Sequence, residues 1–274
     1  MQYEEILYTV DGHVATITLN RPDNLNAWTN VMDREVRTAI EAAAVDEQVR
    51  GIVITGAGRG FCAGADMNLL TAATEDAEGA SKSASAAGSG AAEPGVEGNY
   101  RQKFSYMLRV PKPIIAAING PVAGIGFCMT LFCDLRFMAD NAKLTTAFAR
   151  RGLIAEHGAS WMLPRLIGPM QALDLLYSAR TVQADEAERM GLVNMLPADG
   201  FLDGVHARAN DLVTQASPRS IGVIKRQVFD GMFQSLAEAW QVADEEMVRS
   251  FDSEDFKEGV AHFVEKRPPR FTGR

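Results

Sequence analysis

Short runs of β-branched and small apolar residues that feed straight into glycine-rich turns constrain this chain most. Residues 51–55 (GIVIT) enter GAGRGFCAGADM, and residues 114–118 enter Asn119-Gly120-Pro121 and then a small-residue helix over 124–132. A strand of continuous apolar residues is covered on both faces, which is the pattern of a sheet clothed by helices. Residues 135–139 return as a strand. Strands that alternate with helices imply parallel pairing through crossover connections.

Ahead of these runs, residues 6–19 read as a hairpin about Asp11-Gly12, and Arg21-Pro22 ends it. Met32, Val36, Ala39, Ile40 and Ala43 then recur at helical spacing, which predicts a helix over 30–44. Residues 71–98 are rich in Ala, Ser and Gly, and a mobile loop is expected there. Beyond Leu166 the pattern turns helical over 171–178, 184–190 and 201–215, with another helix opened by Ser217-Pro218. The expected class is α/β, with a core over residues 1–200 and a helical C-terminal unit over 201–274.

Composition narrows the partners. A chain of 274 residues with 47% hydrophobic content can bury a large core, and its net charge of -8 argues against a nucleic-acid surface. Cys62, Cys128 and Cys133 form no CxxC pair and the four histidines have no metal-ligand spacing, so reduced thiols and no metal are expected. The segment MQYEEILYTVDG lacks the apolar core of a signal peptide, and no apolar stretch reaches the ~20 residues of a membrane helix. A cytoplasmic location without membrane partners is the expectation.

The two glycine segments suggest chemistry. A helix start leaves its first N–H groups without intrahelical partners, and small residues let a ligand oxygen approach them. Two such donors from separate loops would make an oxyanion hole, although glycine-rich turns after strands often only reverse the chain. Gly56-Ala57-Gly58-Arg59-Gly60 is followed by Phe61 where a dinucleotide fingerprint needs glycine, and GxxxxGK[ST] and GxSxG are both absent.

FCAGADM (61–67), PIIAAINGPVAGIGFCMTLFCDLRFMA (113–139), the run from Gly152 to Gly168 and ADEAERMGLV (184–193) together resemble the enoyl-CoA hydratase/isomerase, or crotonase, family. The resemblance covers essentially the whole chain. It implies a repeated ββα spiral core with a C-terminal helical domain that covers the active site in a homotrimer or hexamer. It also implies an acyl-CoA thioester substrate, coenzyme A being part of the substrate and not a separate cofactor. Carried onto this sequence, the oxyanion donors are the amides of Ala65 and Ile125. Ala27 and the stretch with Ala63, Asp66, Met67 and Leu69 resemble walls for coenzyme A, Gly124 adjoins the second donor, and Asp66 resembles a loop-fixing residue more than a base. Lys266 and Arg267 resemble basic residues that reach the cofactor's phosphates, and Phe148 and Trp161 shape the acyl site.

The acids depart from the hydratase pattern of that family, in which two glutamates act on water. Cys128 and Phe148 stand at those places, and the remaining candidate is Glu156 in GLIAEHGASW. One carboxylate suffices to move a double bond. Double-bond isomerisation is therefore the leading expectation, with hydration of 2-enoyl-CoA and an idle acyl-CoA binder as alternatives. Glu156 could equally be a helix N-terminal acid. His157 is expected to point elsewhere, because adjacent residues seldom share a cavity.

Overall fold

A computed structural model describes residues 2–76 and 96–274, so most of the segment expected to be a mobile loop lies outside the described residues. Its ends do not behave as loop: Thr71 to Glu75 continue a helix, and Val96–Tyr100 form a 3-10 turn. The helix persists because Asp66 caps it and its leucines and alanines are strong helix formers.

Six strands form the main sheet, in the order β1 (Ile6–Asp11), β2 (Val14–Leu19), β3 (Gly51–Gly56), β4 (Ile114–Ile118), β6 (Leu135–Ala139) and β9 (Asn194–Leu196). Only the β1–β2 hairpin is antiparallel; every later pairing in this sheet is parallel. β3 and β4 are wholly buried, as their unbroken apolar runs require. A second sheet joins β5 (Val122–Ala123), β7 (Lys143–Thr145) and β8 (Val182–Gln183). The ββα repeat is visible in this division: β4 of the large sheet passes to β5 of the small one, and then into a helix.

The first crossover is α1 (Asn30–Val45), capped by Thr29 and packed through Met32, Val36, Ala39, Ile40 and Ala43. α2 (Met67–Glu75) follows the first glycine segment and α3 (Gly124–Leu131) the second. Next come α4 (Ala159–Ile167), α5 (Pro169–Ser178) and α6 (Ala184–Arg189). α7 (Phe201–Gln215) lies against β2, β3 and β4 and adds Phe201, Val205, Ala209 and Val213 to the core. It therefore packs with the body, although a boundary at residue 200 assigns it to the C-terminal unit. The remaining helices, α8 (Pro218–Asp230), α9 (Leu236–Phe251) and α10 (Glu254–Glu265), contribute little to the core.

α8 is tied to the body by a buried ion pair, Lys225 Nζ to Asp134 Oδ2 at 2.8 Å; Asp134 also accepts from the Ile114 amide at the start of β4. No described helix is long and apolar enough to cross a membrane.

Candidate active site

The two glycine segments meet at the ends of β3 and β4. Cys62 pairs with Val122 as a parallel bridge, closed by the Cys62 amide to the Pro121 carbonyl and the Ala123 amide to the Cys62 carbonyl. Gly64 and Gly124 both take positive φ, +108° and +50°, and a Cβ on Gly124 would lie only 3.8 Å from the Gly64 Cα. Asn119 fastens the same junction: its Oδ1 accepts from the Gly56 amide, and its Nδ2 donates to the carbonyls of Gly56 and Gly58.

Backbone pairing decides where the next amides go. Ala65 forms a parallel bridge with Trp28 in which the Trp28 amide donates to the Gly64 carbonyl and the Asp66 amide to the Trp28 carbonyl. In such a bridge the central residue's own N–H faces away from its partner strand, so the Ala65 N–H is left outside the ladder. Ile125 is the second residue of α3 and has no helical acceptor. Neither amide finds a backbone acceptor among the described residues. Two unsatisfied N–H groups thus leave from the residues that follow two touching glycines, a disposition suited to a single developing oxyanion.

Ala27 lies in a loop secured by residues that sequence reading missed. Asn26, fully buried with φ +55°, donates to the carbonyls of Ala57 and Gly60 and accepts from the Arg21 amide. Arg21 donates to the Ala27 carbonyl and to Asp66 Oδ2, and pairs with Glu5 at 3.3 Å. Asp66 also caps α2 through Oδ1 and the Asn68 amide, and that bond, followed by Arg21, holds its carboxyl below the usual range. Its side chain is thereby engaged in fixing the loop. Ala63 is joined to this loop by its amide and the Leu25 carbonyl, while Met67 and Leu69 expose apolar surface beside it.

Glu156 is half-buried against α3, where the Cys128 thiol donates to its carbonyl at 3.6 Å. Burial raises the Glu156 carboxyl above the ordinary value, with Lys103 pulling the other way. His157 overturns its expectation: a left-handed backbone, φ +50°, brings its Nε2 to 3.7 Å from Glu156 Oε2. Extended residues alternate sides, and the positive φ breaks that alternation. Burial, then Lys103, pushes the imidazole down to about 4, so it is neutral at physiological pH. Phe104 packs edge-on to both His157 and Trp28. Lys103 pairs with Asp33 at 3.2 Å, and Asp33 also accepts from the Trp28 indole at 2.9 Å. Motif reading gave no sign of Lys103 and Asp33, since neither lies in a glycine segment.

Cys128 and Phe148 are both buried, and burial and the Glu156 charge push the Cys128 thiol up, so it remains protonated. Trp161 stacks on Phe233 at 5.3 Å, a residue of the C-terminal unit. Lys266 is exposed at the end of α10, and no hydrogen bond or ion pair joins it to the glycine segments among the described residues. Arg267, expected to reach phosphates, is instead held by Glu258 and Glu265, so its charge is already compensated. Among the described residues no three His, Cys, Asp or Glu side chains form a metal-binding group.

Residues 9–274 match the family model described as enoyl-CoA hydratase/isomerase. The chain belongs to this family. It is 32% identical to a 1,2-epoxyphenylacetyl-CoA isomerase of Escherichia coli K12, over 99% of each chain. It is 34% identical to a Rhodobacter capsulatus protein named "Probable enoyl-CoA hydratase", over the full length of both. An enoyl-CoA hydratase structure from Bacillus anthracis superposes with a TM-score of 0.86 at 27% identity, covering 99% of this chain and all of the other. The crotonase fold and enzyme family expected from the glycine segments are therefore those of this chain, and the family acts on acyl-CoA thioesters.

Proposed function

We propose that this enoyl-CoA hydratase/isomerase family member moves the double bond of an enoyl-CoA thioester. The Ala65 and Ile125 amides hold the thioester oxygen. The Glu156 carboxylate takes a proton from C2 of a 3-enoyl thioester; the C–H electrons enter a dienolate whose charge rests on that oxygen. Glu156 then returns the proton at C4, leaving the double bond between C2 and C3. A raised carboxyl pKa suits the task, because it makes the carboxylate a stronger base.

One observation carries this reading: Glu156 is a partly buried carboxylate beside α3, while the two positions of the hydratase pattern's water-activating glutamates hold a protonated thiol, Cys128, and Phe148. Ala27, Ala63, Gly124, Met67 and Leu69 form walls for coenzyme A, with Asp66 fixing them, and Phe148 bounds the acyl chain. Lys266 stays available for phosphate. Coenzyme A enters as part of the substrate, and the working assembly is a homotrimer or hexamer in the cytoplasm.

A second reading, hydration of 2-enoyl-CoA, is favoured by His157 Nε2 at 3.7 Å from Glu156, since a neutral imidazole and a carboxylate could share a water. Epoxide isomerisation, named for the Escherichia coli relative, would use the same base and the same two amides. Product analysis on 3-enoyl-, 2-enoyl- and 1,2-epoxyacyl-CoA separates these reactions. We expect 2-enoyl-CoA from the first, with Glu156→Gln lowering kcat by ~10²–10⁴ and leaving acyl-CoA binding intact. Tight binding without turnover on any of them would contradict an enzymatic role.

A further inference from the structure

We propose that a second cavity, at the opposite end of the main sheet, binds a small phosphate-bearing anion. Its walls include Val49, Arg50, Pro111 and Lys112, the residues that enter β3 and β4, whereas the glycine segments follow the exits of those strands. Parallel strands place entrances and exits on opposite edges, so this cavity is separate from the acyl-CoA site. Its volume of about 610 Å³ falls within the range of small-molecule sites.

Charge sets it apart. Arg50, Lys112, Arg219, Lys225, Arg226 and Arg274 line it, and Glu47 supplies the only acidic side chain among its described walls, in a chain of net charge -8. Some of these cations are already matched: Lys225 meets Asp134, and Arg219 and Arg226 share the single carboxylate of Glu246 with Arg249. Arg50 and Lys112 are held differently. The Arg50 guanidinium donates to the Phe271 carbonyl at 2.9 Å, and the Lys112 ammonium to the carbonyls of Ala43 and Asp46, each at 2.7 Å. Neutral carbonyls orient a cation without cancelling its charge. Burial accordingly pushes the Lys112 ammonium below its ordinary range, with Asp46 only partly opposing.

An anion seated among these groups would supply the missing charge. Guanidinium forks together with a compact ammonium suit the several oxygens of a phosphate, and Val49, Pro111 and Val223 give an apolar wall for an attached ring. The neighbouring Asp255 carboxylate is held by Ser217 Oγ and the amides of Thr272 and Gly273, and no ion pair joins it to these cations among the described residues.

Calorimetric titration of the full-length chain with pyrophosphate and with ADP at low salt tests the site. We expect one saturable site per chain, weakened tenfold or more by Lys112→Met and by Arg226→Gln, the latter an exposed side chain whose loss leaves Arg219 and Arg249 on Glu246. Arg189→Gln, a surface cation elsewhere, should leave binding unchanged, and circular dichroism should match wild type throughout. ADP binding that is tighter than that of pyrophosphate and is weakened by the same two variants identifies a nucleotide, and pyrophosphate binding as tight as or tighter than that of ADP identifies a simple phosphate. Absence of saturable heat, or binding that folded Lys112→Met and Arg226→Gln variants retain in full, overturns the proposal.

Discussion

At the scale of single residues, the site depends on what burial does to two adjacent side chains. The Glu156 carboxyl is raised by burial, so the acid limb of kcat/KM should lie above the ordinary carboxylate range, with activity falling as pH drops through it. Neutralising Lys103, the cation that opposes the shift, should move that limb further up; a Lys103→Met profile identical to wild type would contradict it. His157 makes a separate prediction about stability. Its imidazole is lowered to about 4 in the folded state, so the unfolded chain binds the extra proton between its ordinary value and that one. Stability present above pH 6.5 is therefore lost as pH falls toward 4, by roughly 3 kcal/mol at most. Urea midpoints at pH 7 and pH 5 should converge in His157→Asn relative to wild type. Glu156 could be singled out in the sequence because the acid stands in a recognisable run. Its neighbour's orientation could not, because nothing in GLIAEHGASW announces a histidine in left-handed conformation.

At the scale of elements, two strand-turn-helix units work only because they touch. A Cβ on Gly126 would lie 2.6 Å from both Cβ and Sγ of Cys62, inside the other segment. Gly126→Ala should push the segments apart, costing about 1–3 kcal/mol of stability and most of the activity, as measured by urea denaturation and initial rates. Asn119→Ala should also lower stability, by about 1–3 kcal/mol, since it strips partners from the backbone of Gly56 and Gly58. The strands over 51–56 and 114–118 were legible because an unbroken apolar run has one use in an α/β sheet. Asn119 looked like an ordinary turn residue, and its side-chain bonds reach a segment about sixty positions earlier, a distance no local pattern reports. Asn26, Lys103 and Asp33 escaped notice for the same reason: each acts through partners supplied by another part of the chain.

At the scale of the whole molecule, the C-terminal helices leave large apolar side chains uncovered. Lys225 and Asp134 form one buried tie between these helices and the body, and Lys225→Met would strand a buried carboxylate at a cost of about 3–5 kcal/mol, read from the urea midpoint. Leu236, Trp240, Phe251 and Phe263 are each more than half exposed on α9 and α10. Such surface favours self-association, so sedimentation should find a trimer or hexamer at micromolar concentration, and a monomer would contradict it. The most direct test of the central claim is the fate of deuterium placed at both C2 positions of 3-enoyl-CoA. The enolate account predicts that the native enzyme removes one deuteron from C2, delivering it to C4 or to solvent, and that removal is slowed at least ~100-fold in Glu156→Gln with acyl-CoA still bound. Removal at the native rate in that variant, or both deuterons left at C2 by the native enzyme, would contradict it.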